Sequence, residues 1–441
     1  MEMLDIAGVG VGPFNLSLAA LLHPLPDLRW RFFERRPAFE WQAGMMLPGT
    51  RMQTSYLKDL VTPVDPSNPF SFLAYLVATG RFYRFINAEF PRVRRVEFAD
   101  YMRWASERIP SLTFAAQVHD VSFNGESFKI ELEGREPVRA RDLVLGSGLS
   151  QHVPSWARKH MSGVCLHSGD YLRRELSLAG QRVVIIGGGQ SGAEIFLNIA
   201  SSHEQPSQLT WVSRRPNLEP LDETTFVNEY FTPDYVRQYH RLPDAVRAGL
   251  VESQKLAGDG VSPDTLRELS QLLYEGDFLS SERRSYRILP NREAHAMTRN
   301  DGAFRIELRN RFDHGNEIIG ADVVILCTGY SYELPAFLKP ISDMLQRDSK
   351  GHIKLKEDYV ASWNGPETNR IYMQNAGRYS HGIADPQLSL AAWRASVIVN
   401  SIAKREVYRT DFERPPVQWQ SSGQNNRDYA RTYDIDERDL T

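Results

Sequence analysis

The sequence predicts an α/β protein with two Rossmann-like dinucleotide-binding domains and a small, mainly helical third domain. A short apolar run, a glycine-rich turn and a helix-compatible segment follow one another near residue 4 and again near residue 182. Other apolar runs end in glycine at residues 143–146 and 323–329. Continuous β-branched runs flanked by glycine are typical of strands that are buried on both faces of a parallel sheet.

The first turn, in LDIAGVGVGPFNLSLAA at residues 4–20, predicts a dinucleotide site. Gly8 and Gly10 fall where a strand would turn into a helix, and a Cβ at either position would obstruct the turn or the approach of a pyrophosphate. Pro13, followed by Phe14, replaces the third glycine of the fingerprint and suits a first helical turn. Glu34 ends the next apolar run, at the distance expected for a carboxylate on a ribose hydroxyl. A glycine turn without a ligand is the alternative.

The second turn, in RVVIIGGGQSGAEIF at residues 182–196, matches the complete GxGxxG pattern. The residues assigned to it are Gly187, Gly189, Gln190, Ser191 and Gly192. Arg214 and Arg215 follow the next apolar run, where an NAD site would carry an acid, and cations there fit the 2′-phosphate of NADP. A solvated basic loop is the alternative.

Two dinucleotide turns in one chain indicate a flavoprotein in which FAD stays bound and NADPH delivers hydride. We expect the FAD-binding domain to comprise residues 1–165 and 331–418, and the NADPH-binding domain residues 166–225 and 286–330. The intervening residues 226–285 become helical and charged, which indicates an inserted substrate-binding domain. From Ser421 to residue 441 the chain is polar with few apolar anchors, so a flexible tail is expected.

The composition fits two or three soluble domains and argues against several classes of protein. The chain has 441 residues, 41% of them apolar and 24% charged, with a net charge of -3. No nucleic-acid partner is expected, because such a partner requires a basic excess. No apolar stretch is long enough to span a membrane, and the N-terminus shows no secretory signal, so no stable membrane insertion is expected.

The two cysteines, Cys165 and Cys327, form neither a CxxC pair nor a ligand cluster. They fit a cytoplasmic protein without a disulfide framework or a structural metal. They also argue against a pyridine nucleotide–disulfide oxidoreductase, because that class needs a redox-active cysteine pair.

Longer blocks resemble the N-hydroxylating monooxygenases of hydroxamate siderophore synthesis, which include lysine N6-, ornithine N5- and diamine N-hydroxylases. The blocks are GVGVGPFNLSLAAL, MQTSYLKDLVTPVDPSNPFSFLAYL, FVNEYFTPDYV, LCTGY and SHGIADPQLSLAAWR, and they span about residues 4–418. In addition, MSGVCLHSGDY resembles the FxGxxxHxxx(W/Y) signature of class B flavin monooxygenases. Gly163, His167 and Tyr171 match this signature, and Met161 replaces its phenylalanine.

This resemblance implies cofactor contacts outside the two glycine turns. Gln53 corresponds to a polar residue near the flavin and nicotinamide, and Trp41 to an aromatic residue at the FAD site, although it could equally be a core residue. His381, Gly382 and Leu388 in SHGIADPQL correspond to a segment that lines the flavin and closes the substrate pocket. Arg214 corresponds to the arginine that recognises the NADP phosphate.

The resemblance implies two substrate-binding residues. Lys58 corresponds to the lysine that holds the substrate's carboxylate in the amino-acid hydroxylases, and Asn228 corresponds to an asparagine that contacts the substrate. The alternatives are that Lys58 is a surface lysine and that Asn228 is a helix N-cap. Asp259-Gly260 stands where ornithine enzymes usually carry an Asn-Tyr pair, and the NEYF form around Asn228 is found in the diamine branch. An aliphatic diamine, cadaverine or putrescine, is therefore expected, with Asp259 as a hypothetical partner of its second ammonium. L-Lysine is the alternative, which Lys58 favours.

The implied chemistry uses FAD, NADPH and O2, and proceeds through a C4a-hydroperoxide of the flavin whose distal oxygen the amine attacks. The amine must be neutral, because an ammonium has no lone pair. A free alkylamine titrates near ~10.4, and burial in an apolar pocket lowers that pKa. Family resemblance also suggests a homo-oligomer.

Two other functions stay open at this point. A Baeyer–Villiger or sulfur monooxygenase would oxidise ketones or thioethers and form no hydroxylamine. A catalytically inactive flavoprotein that acts as a binding module would bind FAD without substrate-dependent consumption of NADPH.

Overall fold

The computed structural model describes residues 3–280, 285–411 and 416–421. The expected flexible tail lies outside the described residues from residue 422 onward. The strands, in chain order, are β1 (Met3–Val9), β2 (Trp30–Phe33), β3 (Leu112–Thr113), β4 (Val118–Phe123), β5 (Phe128–Leu132), β6 (Val138–Leu145), β7 (Ser150–Gln151), β8 (Cys165–His167), β9 (Arg182–Ile186), β10 (Gln208–Val212), β11 (Tyr286–Leu289), β12 (Arg292–Asn300), β13 (Ala303–Asn310), β14 (Asn316–Ala321), β15 (Val323–Leu326), β16 (Tyr330–Ser331) and β17 (Ile371–Met373).

The α-helices range from a single turn to the 16 residues of the longest described one. In chain order they are α1 (Pro13–Leu22), α2 (Phe72–Ala78), α3 (Phe82–Asn87), α4 (Arg95–Ser106), α5 (Ser155–Arg158), α6 (Gln190–Ala200), α7 (Pro233–His240), α8 (Asp244–Ser253), α9 (Leu256–Asp259), α10 (Pro263–Phe278), α11 (Arg378–His381) and α12 (Ala391–Ala403). Short 3-10 helices occur at Ala43–Met45, Ser168–Arg173, Val227–Phe231, Ala336–Met344 and Leu388–Leu390.

The first sheet has the order β3-β2-β1-β6-β5-β4, and β17 also pairs with β6. β1 runs parallel to both β2 and β6, so that Gly8 lies opposite Phe32 on one side and Val144 on the other. Apolar residues of β1 such as Ile6 and Ala7 are fully buried because helices and loops cover both faces of this part of the sheet. The carboxyl ends of β1 and β6 therefore lie at one edge, where ligands of such sheets bind.

The second sheet has the order β11-β10-β9-β15-β8, and all of its strand pairs are parallel. β9 and β15 occupy neighbouring central positions, and Val183 to Ile186 and Val323 to Leu326 are buried along their whole length. The predicted α/β class is confirmed, with a glycine turn in the parallel part of each of two sheets, although the first sheet also contains the antiparallel pairs β4-β5 and β5-β6. A three-stranded antiparallel sheet, β12-β13-β14, had no counterpart in the sequence prediction.

Residues 226–285, for which a helical insertion is predicted, contain helices α7 to α10 among the described residues. Thr232 caps α7 by accepting a hydrogen bond from Tyr235 N at 3.4 Å, and Ser262 caps α10 in the same way through Thr265 N at 3.4 Å. A proline follows each cap at the first helical position, where its missing N–H costs nothing. Within the described ranges, every helix is too short or too polar to cross a bilayer.

Candidate functional site

The first glycine turn is closed so tightly that side chains are excluded from it. Gly10 has φ +87°, and a Cβ there would lie 2.6 Å from the carbonyl oxygen of Gly146 at the end of β6. A Cβ on Gly8 would lie 2.3 Å from the ring of Phe32 in β2. Both glycines are therefore required by packing, Gly10 against backbone and Gly8 against a buried ring, whether or not a ligand is bound.

The N-terminus of α1 is half-buried at Gly12 and Pro13 and has no side-chain cap. Gly12 is the N-cap residue in an extended conformation, Pro13 is the first helical residue, and the cap residue offers no side chain to the first-turn N–H groups. A Cβ on Gly12 would meet only Gly146 O, at 3.9 Å, so space remains beside the turn. An uncapped helix N-terminus with this free space is a cradle that fits a pyrophosphate.

Glu34 holds this turn in place. Its side chain is buried, Oε2 accepts a hydrogen bond from Val11 N at 2.9 Å, and Oε1 accepts one from Arg36 N at 3.0 Å. Each carboxylate oxygen has a second lone pair, so these bonds are compatible with a ribose hydroxyl as an additional donor. The carboxylate has a structural role in the loop beside the ligand role that its spacing predicted.

Asn15 is a residue of this turn that sequence reasoning missed. It is fully buried, its Nδ2 donates to Gly10 O at 2.8 Å, and its Oδ1 accepts from Gln374 Nε2 at 2.5 Å. A Cβ on Gly146 would lie 2.4 Å from this side chain. An asparagine inside an apolar helix was the available signal, because a buried amide needs partners.

Buried polar atoms without a hydrogen-bond partner cluster in the C-terminal segment that follows β17. Among the described residues these atoms include Gln374 Oε1, Asn375 Oδ1, Asp385 Oδ1, Ser389 Oγ, and Nε and Nη1 of Arg394. Arg394 lies with its guanidinium 4.5 Å from the ring centre of Phe14, in the first turn of α1. Because native proteins leave few such groups unpaired, the cluster fits a polar ligand bound next to the first turn.

The second turn repeats the tight packing of the first. Gly187 has φ +129°, and a Cβ there would lie 2.0 Å from Cys327 O. A Cβ on Gly192 would lie 2.4 Å from Gly187 O, which also accepts a hydrogen bond from Trp211 Nε1 at 2.7 Å. Gly189 is the N-cap of α6, without a side-chain cap, and a Cβ there would meet nothing closer than 3.9 Å. This N-terminus is a second cradle for phosphate.

The two arginines after β10 differ in their surroundings. Arg214 is exposed. Arg215 is partly buried, and its Nη2 donates to Asp259 O at 2.8 Å while Nε lies 3.9 Å from Glu219 Oε2. Its Nη1 is buried and has no partner among the described residues. Both side chains stand at the carboxyl end of the strand, where a nucleotide phosphate would need cations.

Gln190 and Ser191 begin α6 and are both half-buried. Gln190 also binds the helical insertion, because its Oε1 accepts from Ser262 N at 2.7 Å and its Nε2 donates to Thr265 Oγ1 at 3.1 Å. The same Nε2 donates to Glu194 Oε1 at 2.9 Å. The side chain of Gln190 is thus engaged by protein, whereas the turn that carries it remains open.

Trp41, Gln53 and Lys58 belong to the irregular chain between β2 and α2, and all three are half-buried. Trp41 packs edge-on against Phe98, with ring centres 6.3 Å apart, and also borders a surface groove of about 430 Å³. This places Trp41 at the margin of an aromatic core, which agrees with the core alternative for this residue. Asp59, next to Lys58, is buried and accepts from Phe72 N at 2.6 Å, so it fixes the segment that carries Lys58.

Asn228 and Asp259 belong to different parts of the helical insertion, Asn228 before α7 and Asp259 at the end of α9. Asn228 is exposed and lies inside the 3-10 helix Val227–Phe231, while Thr232 is the cap of α7, so the N-cap alternative for Asn228 is wrong. Asp259 ends α9, and its carboxylate is 3.2 Å from Arg378 Nη2 in α11, with both side chains 36% exposed. An ammonium that approaches Asp259 therefore meets a carboxylate that already has a cationic partner.

The ring of His381 packs against other protein rings. The ring is 1% exposed, stacks on Tyr359 with ring centres 4.1 Å apart, and lies 4.8 Å from the ring of His240 in α7. Burial lowers the pKa of His381 well below its ordinary value, and the neighbouring His240 lowers it further. His381 therefore joins the C-terminal segment to the insertion, and the contact of this segment with the flavin stays a prediction.

Gly382 and Leu388 continue the same segment. Gly382 has φ +83°, and a Cβ there would lie 3.4 Å from the ring of Tyr239. Leu388 is half-buried against the main apolar core. Asp385, between them, accepts from Gly377 N at 2.9 Å and lies 3.4 Å from Arg394, and burial raises the pKa of its carboxyl group.

His167, from the class B signature, ends β8 at the edge of the second sheet. It is fully buried, Nδ1 accepts from Gly169 N at 3.1 Å, and Nε2 is 3.0 Å from Gly329 O. This pattern requires the neutral ring with its proton on Nε2. Burial lowers the pKa of His167, in agreement with a neutral ring.

Comparison with known proteins gives consistent matches over nearly the whole chain. The family model for L-lysine 6-monooxygenase/L-ornithine 5-monooxygenase matches residues 2–332. The L-lysine N6-monooxygenase of Escherichia coli is 38% identical over 425 residues, which cover 95% of this chain and 99% of that protein.

Two solved structures share the fold over similar lengths. The FAD-bound crystal structure of DfoA, the cadaverine monooxygenase of the desferrioxamine pathway of Erwinia amylovora, has a TM-score of 0.89 at 30% identity, and the match covers 96% of this chain and 100% of that one. The ornithine N-hydroxylase KtzI of Kutzneria sp. 744, with reduced FAD, NADP+ and L-ornithine, has a TM-score of 0.84 at 27% identity, with 91% of this chain and 99% of that one covered.

Proposed function

The chain belongs to the L-lysine 6-monooxygenase/L-ornithine 5-monooxygenase family, a family of flavin-dependent N-hydroxylating monooxygenases of siderophore biosynthesis, and we propose that it N-hydroxylates a terminal primary amine of cadaverine or putrescine. L-Lysine is the second candidate substrate. The reaction uses FAD, NADPH and O2, as in the relatives whose structures contain FAD and NADP+.

The observation that carries the proposal is the pair of open glycine turns at the ends of β1 and β9. Each has a positive-φ glycine against a carbonyl and an uncapped helix N-terminus, and these are the features that a dinucleotide pyrophosphate requires. The unpaired buried polar atoms beside the first turn fit FAD there, held by the α1 N-terminus, Glu34 and Arg394. The α6 N-terminus with Arg214 and Arg215 fits NADPH.

When bound and reduced, the flavin supplies the activated oxygen, and the residues of this chain hold and shield the reactants. The amine must reach that position without its proton, and enclosure among apolar side chains lowers the pKa of an alkylamine from about 10.4. Leu388, which is half-buried beside the main core, supplies apolar surface of this kind. Lys58, Asn228 and Asp259 are proposed to orient the far end of the substrate.

The far end of the substrate distinguishes the two candidates. A diamine needs an acid, and Asp259 supplies one at the segment that touches the nucleotide turn; the likeness to the cadaverine monooxygenase also favours a diamine. L-Lysine needs a cation for its carboxylate, and it is favoured by Lys58, by the contact of Asp259 with Arg378 and by the 38% identity to the lysine enzyme.

The test is hydroxylamine formation by the FAD-loaded protein with NADPH, with cadaverine, putrescine, L-lysine and L-ornithine compared side by side. Product from a diamine supports the first candidate, and product from L-lysine alone replaces it with the second. Asp259→Asn is the matched variant: it should raise the diamine KM about tenfold or more, since one ion pair is lost. An unchanged diamine KM removes Asp259 from the substrate site.

A further inference from the structure

Residues 258–265, which end α9 and begin α10, contact the second glycine turn; we call them the bridging segment. Arg215 Nη2 donates to the carbonyl oxygen of Asp259 at 2.8 Å. Ser262 N donates to Gln190 Oε1 at 2.7 Å, and Gln190 Nε2 donates to Thr265 Oγ1 at 3.1 Å. Two residues that the sequence assigns to the nucleotide therefore also hold the bridging segment.

The other side of the bridging segment contacts the C-terminal segment. The Asp259 carboxylate is 3.2 Å from Arg378 Nη2, and a Cβ on Gly258 would lie 3.3 Å from Gln387 Nε2. Leu388 follows Gln387 directly and packs against the main core. The bridging segment thus connects the nucleotide turn to the region where the substrate's far end is proposed to lie.

Arg215 stands at the point where these contacts begin. Its side chain is 18% exposed, and its Cδ is 3.5 Å from the position of a Cβ on Gly188, so it lies along the glycine turn. Nη2 is used by Asp259, whereas Nη1 is buried without a partner among the described residues. One guanidinium therefore donates through Nη2 to a carbonyl oxygen of the bridging segment and keeps Nη1 as a spare donor. The neighbouring Arg214 is exposed and makes no such connection to Asp259.

We propose that Arg215 is a positioning residue that couples nucleotide binding to the order of the bridging segment. It gives Nη1 to the bound nucleotide and Nη2 to Asp259, so the nucleotide fixes the guanidinium that fixes the segment. Because binding coupling is reciprocal, the ordered segment in turn raises nucleotide affinity. Through Asp259 and Arg378, the same coupling orients the amine, and this last step rests on the proposed function.

The test is amide hydrogen exchange of residues 258–265 in the FAD-loaded full-length protein, with and without NADP+ at concentrations shown by titration to saturate. In the wild type, NADP+ should slow exchange in this segment by about tenfold, the effect of roughly one net hydrogen bond. Arg215→Ala should abolish this slowing at saturation. Arg214→Ala, the matched control, should need more NADP+ to saturate but should retain the slowing.

Two further variants separate Arg215 from a general loss of structure. Asp259→Asn leaves the backbone carbonyl in place, so NADP+ should still slow exchange although the contact with Arg378 is weakened. Arg215→Lys retains a cation with one donating group, so NADP+ should slow exchange in this variant by part of the wild-type amount. If Arg215→Ala binds no NADP+, the comparison of Arg215→Lys with the wild type tests the coupling instead.

Equal slowing by NADP+ in Arg215→Ala and wild type, or its loss in Asp259→Asn, would overturn the coupling. These readouts involve no amine, so they are independent of the outcome for the proposed function. If the wild type hydroxylates none of the four amines but the exchange pattern holds, only the substrate step fails.

Discussion

Gly10 sets the strictest requirement on a single residue at the first turn. Its φ of +87° and the 2.6 Å that would separate an alanine Cβ from Gly146 O leave no room for a side chain, whereas Gly12 has only a 3.9 Å neighbour. Gly10→Ala should therefore abolish FAD retention, and Gly12→Ala should fold with a melting temperature close to that of the wild type. Flavin absorbance after gel filtration and thermal unfolding measure the two effects. Normal flavin content in Gly10→Ala would contradict this interpretation of the turn.

The charged carboxylate of Glu34 is the second feature that the first turn requires. Because its carboxylate accepts from both Val11 N and Arg36 N, Glu34→Ala leaves two buried or half-buried donors without partners. Loss of one charge-assisted hydrogen bond costs about 1.5–3 kcal/mol, so the Kd for FAD should rise by about 10- to 100-fold. Fluorescence titration with FAD measures this. Glu34→Gln retains one acceptor oxygen, so its Kd for FAD should lie between those of the wild type and Glu34→Ala. An unchanged Kd in Glu34→Ala would contradict this role of the Glu34 carboxylate.

Residues with a local pattern could be predicted from sequence, and residues whose role depends on distant partners could not. Gly10, Gly187 and Glu34 follow strands at fixed spacings, so their positions in the fold could be anticipated. Asn15 acts through Gln374, which is far away in the sequence, and no local pattern identifies such a pair. The SHGIADPQL motif indicates the segment that carries His381 and not the direction of its ring, which depends on the distant Tyr359 and His240.

At the scale of elements, the junction of α7 with the C-terminal segment should be sensitive to acid. His240 and His381 lie against each other there, and burial lowers the pKa of both below the ordinary 6.5; Arg241, Arg247, Arg394 and Glu357 are the charged groups around them. As pH falls through about 6.5, the unfolded chain takes up protons that the folded chain does not, so stability falls.

His381→Phe retains a flat ring on Tyr359 but cannot titrate. Its melting temperature should therefore decline less than that of the wild type between about pH 7.5 and 5.5. The exposed His203 provides the control: His203→Asn should decline as the wild type does. Parallel melting curves for His381→Phe and the wild type over this range would show that the stack does not control acid sensitivity.

Elements were predictable where sequence periodicity and caps agree. The strand β15 and residues 183–186 of β9 are continuous buried apolar runs, and α10 begins at a serine cap followed by proline, Ser262-Pro263. The sheet β12-β13-β14 could not be predicted in this way, because β13 alternates charged and apolar residues and does not form a continuous apolar run. Its position depends on the pairing of Phe304 and Ile306 in β13 with residues of β14, which no local sequence pattern specifies.

At the scale of the whole molecule, Arg95 and Glu194 connect the parts of the chain that carry the two turns. The guanidinium of Arg95 in α4 makes two hydrogen bonds to Glu194 in α6, at 3.0 and 2.8 Å, and the side chains are only 13% and 8% exposed. Removing either partner leaves a poorly hydrated charge, so Arg95→Ala or Glu194→Ala should cost about 3 kcal/mol.

The double variant should cost clearly less than the sum of the two single variants, because no unpaired charge remains. Urea unfolding followed by tryptophan fluorescence measures all three. Additive costs would show that the two residues do not depend on each other and that the contact does not couple the two parts of the molecule.

The most direct measurement of the central claim is the ratio of hydroxylamine formed to NADPH consumed by the FAD-loaded protein, with cadaverine, putrescine, L-lysine and L-ornithine as separate substrates. We expect a diamine, or L-lysine as the second candidate, to give hydroxylamine in proportion to NADPH. Consumption of NADPH with hydrogen peroxide as the only product from all four amines would contradict amine N-hydroxylation as the function of this chain.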